Sequence, residues 1–219
     1  MSPLINSLTI IATIFISFLA GLTVYFQKNN RLYLRLLPLF LLLTLIVEST
    51  ASYLNLQKRP PITLYNFFAP FEFLFYMYIL REIIQNKKAK NVIFHAIWIY
   101  LVLVILNFLF IQKIAFFKSF TYATGCLLIV AICVYYFYEL FQLAHSVNLV
   151  RQPAFWICSG LLFYYCCSFP IFGLTNFVQK APRIILKNIG VVIFLLNIFL
   201  YSSFTIAFLC RLRTRKSMS

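Results

Sequence analysis

The chain has 219 residues, 63% of them hydrophobic and 11% charged, with a mean hydropathy of +0.92 and a net charge of +15. A soluble domain carries about 25% charged residues, so this composition excludes an ordinary soluble enzyme or binding domain and implies an all-α, polytopic transmembrane helix bundle. The Lys and Arg residues lie between apolar runs, which reads as positive-inside bias and attraction to anionic lipid headgroups, not as a nucleic-acid footprint.

Seven spans are expected, each near the roughly 20 residues needed to cross a bilayer. The first covers residues 6–26. Residues 1–27 carry no charge, and the apolar run exceeds the roughly 7–15 residues of a signal-peptide core, so it reads as a retained span. Thr13, Ser17 and Gly21 recur every four residues along it, the small-xxx-small pattern of close helix contact. The second span, 36–55, is interrupted only by Glu48. The third, 62–80, follows Pro60-Pro61 and contains Pro70 and Glu72. Spans four to seven cover 92–111, 119–141, 154–175 and 188–210, and the basic segment 211–219 reads as a frayed cytoplasmic tail. The connecting loops, such as 81–91 and 176–187, are short, so residues 1–210 form a single transmembrane domain. A three-plus-one-plus-three arrangement fits the helix count, but the two halves show no internal repeat.

Charge sets the orientation. Lys58, Arg59, Lys113, Lys118, Lys180, Arg183 and Lys187 fall on one side. Lys28, Arg31, Arg35, Arg81, Lys87, Lys88, Lys90, Arg151, Arg211, Arg213, Arg215 and Lys216 fall on the other. The richer side is expected in the cytoplasm, leaving the N-terminus outside and the C-terminus inside.

The acidic residues are the functional clue. The chain has four, all Glu, and two of them, Glu48 and Glu72, lie deep inside spans. An ionisable group in the bilayer is costly and marks a functional site by default. At ~1.5 Å per residue, Glu48 lies roughly 9 Å below the outer end of span two and Glu72 roughly 15 Å below the start of span three. Thr44, Glu48, Ser52 and Asn55 share one helix face, as do Tyr65, Ala69, Glu72 and Tyr76. Pro70 frees a backbone carbonyl beside Glu72 and can kink the span, and broken helices at midplane depth are one way to build a binding site. Tyr164 and Ser168 on span six, and Asn197, Tyr201 and Thr205 on span seven, are candidates for the same cavity, with Asn107 on span four. The candidate ligand-binding or proton-relay set is therefore Glu48, Ser52, Tyr65, Glu72, Tyr76 and Asn197. The alternative is that the glutamates are glue, closing interhelical hydrogen bonds.

Other residue types are less informative. Aromatics make up 19% of the chain. Tyr33, Tyr53, Tyr78 and Trp156 suit an interfacial belt. The six cysteines form no C-x-x-C pair and read as packing. A metal set of His95, His145 and Glu139 is conceivable, but histidines at helix ends are ordinarily interfacial.

Absences remove most catalytic classes. Without Asp, aspartyl intramembrane proteolysis and aspartate-rich transferase chemistry are excluded, and neither H-E-x-x-H nor G-x-S-x-G occurs. Two histidines are too few for multi-histidine zinc hydrolases, and span seven has no interior lysine for a retinal Schiff base. No cofactor is expected, and nothing points to catalysis. LYNFFAPFEFLFYMYIL around Glu72 and RQPAFWICSGLLFYY entering span six resemble stretches in small seven-helix membrane proteins of bacteria. Some of these appear beside sensor kinases, so the resemblance implies a sensing role, a cell-membrane location and a membrane or signalling partner, without transferring any site residue. The leading expectation is a receptor-like protein binding a small apolar or amphipathic ligand. A proton-coupled or solute transporter and a structural subunit of a membrane complex are the alternatives.

Overall fold

The computed structural model describes residues 3–26, 31–111, 119–143, 149–173 and 183–216. These residues form seven α-helices: α1 (Pro3–Leu22), α2 (Leu32–Leu56), α3 (Ile62–Ile83), α4 (Lys87–Leu106), α5 (Ser119–Leu143), α6 (Pro153–Gly173) and α7 (Arg183–Lys216). A 3₁₀ turn, Thr23–Phe26, extends α1, a π turn, Asn107–Ile111, extends α4, and a 3₁₀ turn, Leu149–Arg151, precedes α6. Six of the helices are long and apolar enough to cross a membrane. This falls one short of the seven expected spans. The exception is α3, whose composition is diluted by Asn66, Glu72 and three tyrosines. Helix α7 continues to Lys216, so Arg211, Arg213, Arg215 and Lys216 extend it instead of forming a frayed tail. The loops expected to carry Lys113, Lys118 and Lys180, together with Lys28 and His145, lie outside the described residues.

Helices α2, α1, α7, α6 and α5 follow one another around the bundle, and α3 packs against α2, α4 and α5. Ring contacts also tie α3 to α6 through Phe73–Tyr165 and to α7 through Tyr76–Phe204. The one helix that falls short of a span by composition thus touches five of the other helices. Its exposed residues are Thr63, Phe67, Phe71 and Tyr78. Inward, Phe73, Tyr76, Met77, Ile79 and Leu80 are fully buried. The other helices present large apolar side chains to the outside, including Ile46, Val102, Leu127, Val134, Phe163 and Leu195. That pattern suits a solvent of acyl chains, in which backbone groups must be paired internally and helices meet by close packing.

Small residues set the closest approaches. A Cβ on Gly21 would stand 2.8 Å from the Pro38 ring, and Ser17 beside it is fully buried, in keeping with the small-residue stripe expected on the first span. Gly125 of α5 lies against the Phe73 ring, where a Cβ would stand at 2.6 Å. Phe40 of α2 stacks on Phe75 of α3 with centroids 4.1 Å apart. Between α2 and α3 the chain turns through Lys58, the one described non-glycine residue with positive φ. Lys58 N–H donates to the Asn55 carbonyl and Arg59 N–H to the Leu54 carbonyl, the paired bonds of a Schellman cap. This tight turn holds the Glu48 and Glu72 helices side by side.

Two sequence expectations change in this frame. Helix α3 runs through Pro70 without interruption, because the proline removes one backbone donor while the surrounding helices hold the segment in place. Tyr33 is 3% exposed and belongs to the core, whereas Tyr53 and Tyr78 are exposed as a belt requires. Its position one residue into the buried face of α2, beside Leu34 and Leu37, accounts for the difference. Cys126, Cys133 and Cys158 are buried free thiols, as packing cysteines should be.

Candidate functional site

A cavity of about 320 Å³ opens between six of the helices. Its walls include Glu48 and Thr44 from α2, Tyr65, Phe68 and Glu72 from α3, Tyr122 from α5, Tyr164 from α6, and Asn197 and Tyr201 from α7. Counting along each helix, the lining residues run from mid-bundle toward the end where α1, α3, α5 and α7 begin. Thr44, Glu72, Tyr164 and Tyr201 are close to the helix midpoints and form the deep part. Below them, Phe73, Tyr76, Met77 and Leu80 close the bundle with fully buried apolar packing.

Glu48 is held by a neighbour. The Tyr65 hydroxyl donates to its Oε2 at 3.1 Å, joining α2 to α3 across the cavity wall. Glu72 is held more loosely. The hydroxyls of Tyr76 and Tyr165 lie beside its carboxyl but outside strict hydrogen-bond geometry, and both are buried. Glu72 is partly accessible because its side chain borders the cavity. Tyr201 is 4% exposed and borders the same space. The Asn197 side-chain amide donates to the Ile193 carbonyl at 2.9 Å, one turn back on its own helix.

Four of the six expected site residues therefore line one cavity: Glu48, Tyr65, Glu72 and Asn197. The other two fall elsewhere. Tyr76, one turn deeper than Glu72, is enclosed by Phe40, Phe75, Tyr165 and Phe204. Ser52, one turn nearer the end of α2 than Glu48, points to α1, where its Oγ is 3.4 Å from Ser7 Oγ. Helical periodicity places both on the correct face, but face alone does not fix depth. Tyr164 and Tyr201, weighed from sequence as further candidates, do border the cavity, whereas the Thr205 hydroxyl donates to the Tyr201 carbonyl on its own helix. Tyr122 was not legible in sequence, since it stands alone in the first turn of α5. Asn107 is buried and its amide donates to the Thr121 hydroxyl, tying α4 to α5 away from the cavity.

The remaining glutamates sit at the opposite end of the bundle. Glu82 pairs with Arg81 at 3.2 Å. Glu139 of α5 accepts from the backbone N–H of Asn86 at 2.7 Å and of Gln85 at 3.0 Å, so one carboxylate caps the whole α3–α4 turn. Asn86 in turn caps α4, accepting from Lys88 N–H at 2.9 Å. Glu139→Ala should speed hydrogen exchange at the Gln85 and Asn86 amides by about tenfold, the equivalent of one charged hydrogen bond of about 1.4 kcal/mol. Unchanged exchange at both amides would rule out this cap. Of the conceivable metal set, Glu139 is engaged by the turn and His95 Nδ1 contacts the Asn91 carbonyl at 2.7 Å, while His145 lies outside the described residues. Among the described residues no cluster of three metal-ligating side chains occurs.

The site offers two carboxyls from adjacent helices, a ring of phenol groups, an amide and apolar walls. Such a concave, mostly apolar space with a few convergent polar groups has the anatomy of a small-molecule pocket, at the lower end of the roughly 300–1,000 Å³ that such pockets span. No protein-family model, curated protein or solved structure matches the chain, and its function has to be read from the chemistry of this cavity.

Proposed function

We propose that the protein is a multi-pass membrane receptor or sensor that binds a small apolar or amphipathic ligand in the cavity around Glu48 and Glu72. The observation that carries this reading is the cavity itself: two glutamates are placed on a common wall inside a bundle whose outer faces are apolar. In this reading α3 also crosses the bilayer as a seventh span. Its polar residues are tolerated because neighbouring helices shield them, as polar residues within membranes require. The N-terminus is outside and the C-terminus in the cytoplasm, so the cavity faces outward. The basic end, with Arg31, Arg35, Lys87, Lys88 and Lys90, meets anionic headgroups and a membrane or signalling partner.

A carrier is the second reading, with Glu48 and Glu72 as a proton relay. The fully buried layer of Phe73, Tyr76, Met77 and Leu80 beneath the cavity favours a binder, because a carrier would have to open it. The two separate by experiment. In proteoliposomes the protein should move neither protons nor the compounds that raise its unfolding midpoint. Flux that Glu72→Gln abolishes would establish the carrier instead. A fixed partner that co-purifies and is required for folding would favour a structural subunit.

A further inference from the structure

Among the described residues the cavity walls contain two glutamates and no Lys, Arg or His, in a chain that carries 19 Lys and Arg against four Glu. The charge balance is therefore inverted: in a strongly basic chain, this space is acidic and holds no cation among the described residues. Glu48 has a hydrogen-bonding partner in Tyr65. Glu72 has none within strict geometry among the described residues, although it lies at the deep end of an open space. Tyr201 gives an independent indication. It is more than nine-tenths buried and borders the cavity. Its hydroxyl makes no hydrogen bond among the described residues, and its electrostatic neighbours are Glu72, Glu48, Tyr164 and Tyr65, all of which line the same space. A hydroxyl left unpaired on the wall of a roomy site is an acceptor for something that enters.

Resting on the ligand-binding reading above, we propose that the ligand is an organic ammonium ion with an apolar body. Its N–H groups bond to the Glu48 and Glu72 carboxyls and to the Tyr201 oxygen. Phenol rings of Tyr65, Tyr164 and Tyr201 border the head, the environment in which aromatic faces stabilise cations. The apolar body rests on Phe68, Phe172 and Ile10. An anionic amphiphile is repelled by the same two carboxyls, and a neutral one leaves them without a counter-charge. Discrimination of this kind comes from what the wrong ligand fails to satisfy.

Three probes that share a phenyl ring and differ in head charge test the proposal: phenethylammonium, 2-phenylethanol and 3-phenylpropionate. Each is titrated against the full-length protein in nanodiscs while the thermal unfolding midpoint is followed. Phenethylammonium should raise the midpoint at concentrations about tenfold or more below those needed by the alcohol, and the carboxylate should have no effect. In Glu48→Gln and Glu72→Gln the ammonium curve should move to about tenfold higher concentration or beyond, while the alcohol curve stays in place. If alcohol and ammonium act equally on the wild type, recognition of charge is wrong while the cavity remains a binding site. If the ammonium response survives in both Gln variants, the glutamates do not hold the head and the proposal falls. If none of the three stabilises the wild type, the ligand-binding reading falls with it.

Discussion

Phe73→Ala should lower stability by about 2–4 kcal/mol, seen as an earlier unfolding transition in mild detergent. Phe73 is fully buried at the centre of α3. Its ring meets Tyr122 of α5 at 5.1 Å, Tyr165 of α6 at 5.2 Å and Tyr100 of α4 at 6.0 Å between centroids. Gly125 backs directly onto the same ring, so the α5 backbone approaches as closely as any residue allows. In a water-soluble core a Phe→Ala change costs about 3–5 kcal/mol, part transfer and part cavity. In a bilayer the transfer part shrinks, since lipid is as apolar as the side chain, but the lost packing remains. Three tyrosines and a glycine backbone surround the hole, and none can slide in to fill it without abandoning its own helix. Phe73→Leu, which keeps most of the volume, should cost under about 1.5 kcal/mol. A loss of less than about 0.5 kcal/mol for the alanine variant, typical of a surface site, would mean that α3 is not the hub of the bundle.

The enclosure of α3 also explains what sequence could and could not convey. Length and hydropathy identify α1, α2 and α4 through α7 directly, because each must present an apolar surface outward. For α3 the same measure falls short, since Asn66, Glu72 and Tyr76 face protein and not lipid. A hydropathy scale reads average composition and has no access to which neighbours will surround a helix. Pro60-Pro61 and the two flanking apolar runs were enough to place its start, and Ile62 is where the helix begins. The sequence puts its end at residue 80, three residues early, because Arg81 and Glu82 read as a loop. They pair with each other and extend the last turn.

The candidate site was legible to a similar degree. A carboxylate in a span stands out by cost alone, so Glu48 and Glu72 needed no geometry to be noticed. Period 3.6 then attached Thr44 and Tyr65 to the same faces, and both border the cavity. What periodicity lacks is depth and neighbour identity. Ser52 and Tyr76 share faces with Glu48 and Glu72, yet one turn of rise carries the first to α1 and the second into an aromatic cluster. Tyr122 could come only from the fold, since its position depends on α5 crossing α3 at Gly125.

Glu72→Leu should make the empty protein more stable, by about 1–3 kcal/mol, and unresponsive to ligand. The reasoning turns on which glutamate holds the bundle together. Glu48 accepts a hydrogen bond from Tyr65 on the next helix, so Glu48→Leu leaves a phenol without its acceptor. That orphaned group should cost about 1–2 kcal/mol. Glu72 borders open space, and the hydroxyls nearest to it are already outside bonding geometry. Removing its carboxyl therefore breaks little and relieves the expense of a polar group at mid-bundle. Replacing buried ionisable groups by apolar ones of similar volume is often neutral or stabilising. A residue that costs stability where it stands and is kept in a cavity has the profile of a functional group. The two Leu variants should consequently shift the unfolding transition in opposite directions, Glu48→Leu downward and Glu72→Leu upward. Helix glue requires both to fall together. If they do, by similar amounts, Glu72 is a structural residue and the cavity owes its acidity to packing.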